Sequence, residues 1–315
     1  DFLLSHPQQQ SSLYSTRGDI YFGLEKYDLA YEDYNKSINI IYDNEIEWMF
    51  PSSYIASDML KKELSAKYLG IEYDVEYVKS KFKNIGLLTL STDPVVERDF
   101  RTHFPLDKFN IYVNRVEFNP PVTNENLMAM GPRITKAASL VAPDEPLDVI
   151  AYCCTSCATN LGDNVVCENI NLGRPGVPAI NPALAGQKAL KSIGAKKIGL
   201  VTPYIEEVSD SVASYFESFD IAVDKNVCMR CESDYEISRV SDQTMIDAAI
   251  EVGKDVDAIF MSCAAFPATR VIKQVEEATG IPVVTSNQAM IWMSYRLMGL
   301  KDKIDLGKLF DYELL

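Results

Sequence analysis

Lys83-Asn84-Ile85-Gly86-Leu87-Leu88-Thr89 and Lys196-Lys197-Ile198-Gly199-Leu200-Val201-Thr202 are two versions of one phrase, set 113 residues apart. Each is a basic lead into a short, unbroken apolar run. A strand on a half-exposed sheet alternates apolar and polar residues, whereas a strand covered on both faces reads continuously apolar. The repetition extends outward from there. Leu147-Asp148-Val149-Ile150, leading to Cys154, matches Val256-Asp257-Ala258-Ile259, leading to Cys263, at an offset of 109 residues. Gly176-Val177-Pro178 before a helical pattern matches Gly280-Ile281-Pro282 before another, at an offset of 104 residues. Three matches in one order, at nearly constant offset, mean that one plan is written twice.

Strand-like runs at Ile85–Leu90, Val149–Cys153, Ile198–Val201, Ala258–Met261 and Val283–Thr285 alternate with longer helical patterns. That alternation predicts an α/β protein of two pseudo-symmetric parallel-sheet halves, Rossmann-like or flavodoxin-like, at 81–195 and 196–315, with the active site between them. Upstream, Tyr14, Gly18, Tyr21, Tyr27, Ala30, Tyr34 and Ser37 place small and aromatic residues as on the facing sides of two antiparallel helices. Residues 1–45 therefore read as an N-terminal helical appendage, a hairpin similar to one tetratricopeptide repeat. A single repeat cannot bury its own face, so it ends a longer array or docks on the main body. Residues 46–80 read as a helical connector, capped at Pro51-Ser52-Ser53 and carrying Ile55, Met59, Leu60 and Leu64 at helical spacing.

Composition removes several classes of function. Apolar residues make up 47% and charged residues 24% of the 315, an ordinary globular balance. The most apolar stretch, Ala258 to Ala268, is interrupted by Ser262 and Pro267 and is too short to span a bilayer. With 30 basic against 45 acidic residues the net charge is −15, so nucleic acid and anionic membranes are expected to be repelled. No basic segment followed by an apolar run opens the chain, so no secretory leader is read there. Seven cysteines, an odd number in mostly apolar contexts, suit a reducing cytoplasm better than a disulfide framework. Only His6 and His103 are available for histidine chemistry.

The duplication gives the cysteines their meaning. In open parallel sheets ligands bind beyond the carboxyl ends of strands. Cys154 and Cys263 end corresponding strands, so a pseudo-twofold axis turns both thiols toward one crevice. One thiolate can remove a proton or add to carbon while the other thiol delivers a proton. Thr155-Ser156 and Ala264-Ala265 are expected to turn the chain into helices whose amides cradle a carboxylate. A zinc reading competes, because Cys154-x-x-Cys157 and Cys228-x-x-Cys231 have ligand spacing, but the separation between the pairs is too long for a compact ribbon.

Residues 83–300 resemble the Asp/Glu racemase superfamily, in the branch of maleate cis-trans isomerase, arylmalonate decarboxylase and the ectoine-utilisation EutA-type proteins. The segments that carry the likeness are Leu90-Ser91-Thr92-Asp93 with Glu97-Arg98-Asp99-Phe100, Ala151-Tyr152-Cys153-Cys154-Thr155-Ser156, Leu200-Val201-Thr202-Pro203-Tyr204, Ser233-Asp234 with Ile237-Ser238-Arg239-Val240, Ser262-Cys263, and Pro282-Val283-Val284-Thr285-Ser286-Asn287-Gln288-Ala289. The likeness implies a cofactor-free enzyme holding no metal, with Cys154 as nucleophile or base and Cys263 as acid. It places Ser91, Thr92, Asp93, Thr155, Ser156, Tyr204, Asp234, Ala264 and Asn287 at the substrate. It also implies a homo-dimer or higher homo-oligomer.

The chain departs from the maleate isomerase pattern at Asp93 and Asp234, where that family has asparagines that hold substrate carboxylates. A carboxylate about 4 Å from another is repelled by about 1 kcal/mol or more. Asp at both places is similar to the ectoine-utilisation proteins and suits a substrate with a cationic group beside its carboxylate. Structural readings stand beside these: Asp93 as a cap before Pro94, Asp234 as a loop cap, Tyr204 as a turn residue, Asn287 as a cap of the last helix. The leading expectation is a cofactor-independent isomerase or racemase of a small, amino-acid-like carboxylate. A decarboxylase or lyase of a malonate-like acid, with Cys263 as proton donor, is one alternative. A non-catalytic module whose N-terminal helices bind a protein partner is the other.

Overall fold

The computed structural model describes residues 6–44, 57–64, 76–78, 80–118 and 123–315. The chain divides into two compact units, Asp1–Lys79 and Ser80–Leu315. In the first, the helices Pro7–Gly23 and Tyr27–Asp43 run antiparallel, with Gly18 against the Tyr34 ring and Ser11 against Ser37. A Cβ on Gly18 would fall 2.7 Å from that ring, which is why a glycine stands there. Ser15 and Ser37 each donate to the buried Asp58 carboxylate at 2.8 Å, from a helical segment over 57–64. The expected cap at Pro51-Ser52-Ser53 lies outside the described residues.

The second unit holds two four-stranded sheets, each fully parallel. One contains β1 (Lys83–Leu90), β2 (Phe109–Val116), β3 (Val149–Cys153) and β4 (Ala179–Ile180), in the order β2-β1-β3-β4. The other contains β5 (Lys197–Thr202), β6 (Ala222–Cys228), β7 (Ala258–Met261) and β8 (Val283–Thr285), in the order β6-β5-β7-β8. The two orders are the same, and so are the registers of the inner pairs, although β5 pairs with β6 through a shift at Ile198–Gly199 that β1 and β2 lack. Ile85 pairs with Val149 as Ile198 pairs with Ala258. Ile150 pairs with Ala179 as Ile259 pairs with Val283. The repeat offsets read in the sequence therefore carry through to individual residue pairs.

The duplication also governs how the halves meet. The helices Pro182–Ile193 and Ser286–Leu297 follow β4 and β8 at equivalent places. They begin on equivalent caps: Asn181 accepts the Leu184 amide, and Thr285 forms a reciprocal capping box with Gln288. The first packs across the boundary, where Gly186 lies so close to Phe260 that a Cβ would stand 2.6 Å from its ring. Continuous burial of the central strands explains their unbroken apolar runs. β2 and β6 are edge strands with exposed polar residues such as Arg115 and Lys225, and no apolar run announces them. No described helix is long and apolar enough to cross a membrane.

Candidate active site

β3 and β7 deliver their chains to the boundary between the halves, and a cysteine follows each strand. Cys154 is the N-cap of the helix Thr155–Leu161, with relaxed extended backbone at φ −147°. Cys263 has φ +104°. A non-glycine residue held there stores about 1–3 kcal/mol of strain, which persists only where neighbours enforce it. The turn after Cys263 differs from expectation. Ala264-Ala265 do not open a helix: the chain makes a tight turn, then a 3-10 segment at Ala268–Arg270, then the helix Ile272–Thr279. Pro267 is the reason, since it lacks an amide hydrogen and biases the residue before it away from helical angles.

Both thiols are buried and line one cavity, together with Asp93, Asp234 and Tyr204. Thr155, Ser156 and Ala264 also face it. The cavity is small, about 10 Å3, room for roughly one water. A four-carbon acid needs the walls to part. Ser91, Thr92 and Asn287 are not on the wall. Ser91 Oγ accepts the Phe118 amide at 3.1 Å, and Phe118 is itself a lining residue. Thr92 donates its hydroxyl to Asp234 Oδ2 across 142 residues of sequence, joining the two halves. Asn287 lies beneath the wall and does not cap the last helix, because Thr285 does.

The electrostatics are set by burial. Asp93 Oδ1 accepts the amides of Val95 at 2.7 Å and Val96 at 3.1 Å, so the expected capping role is present while the residue also faces the cavity. Burial nevertheless pushes the Asp93 carboxyl up to about 7, against those two amides, and the charges of Asp234 and Asp99 add to the rise. Burial raises Asp234 as well, with the Thr92 hydrogen bond opposing it. Burial, then the charge of Asp234, pushes the Cys263 thiol well up, so it holds its proton at neutral pH. Burial also keeps the Tyr204 phenol protonated. No Lys, Arg or His lines the cavity among the described residues.

Tyr204 is not a surface turn residue: it is 1% exposed. Its hydroxyl lies beside Cys263 and Ser262, and among the described residues it makes no well-formed hydrogen bond. An unmet buried hydroxyl costs about 1–3 kcal/mol, which an acceptor on a bound molecule would recover.

The sequence reading missed Ser286. Its Oγ accepts the Cys263 amide at 3.0 Å and shares a 2.8 Å hydrogen bond with Thr155 Oγ1. The signal was present in Thr285-Ser286-Asn287, where a helix start follows a strand that ends beside the second thiol.

Fold and site together define a class: a duplicated α/β protein in which each half contributes one thiol to a shared cavity. A family model described as arylmalonate decarboxylase matches residues 122–310, and the chain belongs to that family. A maleate isomerase of Alcaligenes faecalis is 25% identical over 247 residues, 71% of this chain and 94% of its own. An arylmalonate decarboxylase of Bordetella bronchiseptica is 28% identical over 141 residues, 43% of this chain and 59% of its own. Among solved structures, a variant of the Nocardia farcinica maleate cis-trans isomerase with a covalently bound succinylcysteine intermediate is similar in fold. It has a TM-score of 0.67 at 21% identity and covers 73% of this chain and 98% of its own.

Proposed function

We propose that the protein is a cofactor-independent isomerase or racemase that works on a small, amino-acid-like carboxylate with two thiols. The observation that carries this reading is that Cys154 and Cys263, at equivalent strand ends of the two halves, line one cavity. In a racemisation, the Cys154 thiolate takes the proton from the carbon beside the carboxylate. The electron pair left on carbon delocalises into that carboxylate, and the Cys263 thiol returns a proton to the opposite face. Atoms balance, because one thiol gains the proton that the other gives up. In a cis-trans isomerisation, the Cys154 thiolate adds to one alkene carbon while Cys263 protonates its neighbour. After rotation about the new single bond, the carbon gives that proton back to the Cys263 thiolate as the Cys154 thiolate leaves, which restores both thiols and the alkene. The succinylcysteine of the Nocardia farcinica enzyme supports the addition route.

The Tyr204 hydroxyl is the donor that awaits the substrate carboxylate. Asp93 and Asp234 argue against a dicarboxylate and for a cationic group on the substrate. At an effective dielectric near 20, one charge about 4 Å from another contributes about 4 kcal/mol, for or against binding, and Asp93, its carboxyl pushed up to about 7, carries that charge fully only above neutral pH or once a cation is bound beside it. The two carboxylates lie on the same wall as the thiols, with no basic residue among the described lining residues to balance a second substrate carboxylate.

A second reading, decarboxylation with Cys263 as proton donor, is favoured by the family match itself. The presence of Cys154 favours the two-thiol reading. Incubation in D2O with a panel of small amino acids and dicarboxylates tests it. Loss of one carbon-bound proton signal without loss of carbon identifies both the chemistry and the substrate class. Release of carbon dioxide instead supports the decarboxylase, and no exchange with any amino acid rejects the substrate class.

A further inference from the structure

The two thiols stand at equivalent places in a duplicated fold, yet their backbones differ in the sign of φ: −147° at Cys154 and +104° at Cys263. Something present only in the second half must hold Cys263 in the strained conformation. The first turn of the last helix supplies it. Ser286 Oγ accepts the Cys263 amide at 3.0 Å, and Asn287 Nδ2 donates to the Ala264 carbonyl at 2.9 Å. The Cys263–Ala264 step is therefore gripped at both ends by consecutive side chains. Each grip is anchored in the opposite half: Ser286 on Thr155 Oγ1 at 2.8 Å, Asn287 on Asp99 Oδ2 at 2.9 Å. Asp99 is fixed in turn by Thr269 at 3.0 Å.

The duplication provides the control. The register that sets Ala179 against Val283 places Pro182 where Ser286 stands and Ala183 where Asn287 stands. Neither can accept an amide or donate to a carbonyl through its side chain. The half without the bracket has the relaxed cysteine, and the half with it has the strained one.

We propose that Ser286 and Asn287 are positioning residues that fix the Cys263 thiol against the cavity by imposing its positive-φ backbone. The consequence for turnover rests on the two-thiol function above, whereas the structural claim stands apart from it. Two measurements separate them. In the first, Ser286→Ala lowers kcat by about tenfold, the worth of roughly one hydrogen bond in a positioned group, with KM changed less than about twofold, and Ser286→Thr restores kcat. An unchanged kcat, or a loss that Ser286→Thr does not repair, overturns the positioning role.

The second measurement needs no substrate. Alanine at Cys263 keeps the strain of positive φ, and glycine relieves it. Cys263→Gly is therefore expected to melt about 2–4 °C above Cys263→Ala, and Ser286→Ala is expected to cost more in the Cys263→Gly background than in the parent chain, where losing the bracket also releases the strain. Equal melting of the two Cys263 variants, or a Ser286→Ala cost identical in both backgrounds, refutes the bracket even if the enzyme proves active. If the chain turns over none of the tested acids, this cycle still decides the matter.

Discussion

Replacing Asp93 by Asn should stabilise the protein, and by more at pH 8 than at pH 5. The carboxyl is 2% exposed, and its folded pKa stands near 7 against 3.8 for the ordinary group. Between those values the folded chain holds a proton that the unfolded chain has released. Stability therefore falls as pH rises through that window, by about 1.4 kcal/mol per pH unit. The whole shift corresponds to about 4 kcal/mol, and the part lost between pH 5 and pH 8 to about 2–3 kcal/mol. An asparagine carries no charge to bury, and its Oδ1 can still accept the Val95 and Val96 amides. It also removes the repulsion from Asp234 and Asp99. Urea unfolding of both chains at pH 5 and pH 8 measures the double difference, in which the other titrating groups cancel. A variant no more stable than the parent at pH 8, with the same pH slope, would refute the placement of a strained carboxylate on the cavity wall.

Other outcomes follow from the same geometry. Gly199→Ala should cost more than Gly86→Ala in a thermal melt, although the two glycines are equivalent. A Cβ at Gly199 would meet the Val252 carbonyl oxygen at 2.2 Å, whereas at Gly86 it would meet only side-chain carbons, the nearest at 2.9 Å; overpacking against yielding side chains costs about 1–3 kcal/mol. Thr92→Val removes the only described hydrogen bond to the Asp234 side chain. It should destabilise the fold by about 1–3 kcal/mol while Asp234 is ionised, and by less as falling pH protonates that buried carboxyl, because the neutral acid needs the donor less. Asp93→Asn with Asp234→Asn should shift substrate preference away from cationic amino acids toward dicarboxylates, read as a change of about tenfold or more in the ratio of kcat/KM; an unchanged ratio removes both residues from substrate selection.

Much of this architecture was legible in the sequence because a buried parallel strand leaves a plain mark. β1, β3, β5, β7 and β8 are covered on both faces and appear as unbroken apolar runs. β2 and β6 escaped because polar residues interrupt them where they are only partly covered: Asn114 and Arg115 in one, Asp224 and Lys225 in the other. The shared cavity was legible through the repeat, since equivalent positions in a duplicated fold face each other. What could not be read was the asymmetry. The sign of φ at Cys263 depends on partners 23 residues further along, at Ser286 and Asn287. The Thr92–Asp234 contact spans 142 residues and has no local signature. Asn287, which the family likeness places at the substrate, uses its amide nitrogen on Ala264 and Asp99, partners with no local signature in the sequence.

The sharpest test replaces each thiol by a hydroxyl and follows solvent deuterium into the substrate carbon. If one thiol serves each face of the bound acid, Cys154→Ser and Cys263→Ser should each slow turnover by about 100-fold or more, in the range of a lost acid or base. Should Cys154→Ser turn over at the parent rate, a single sulfur would suffice and the two-faced chemistry would be contradicted.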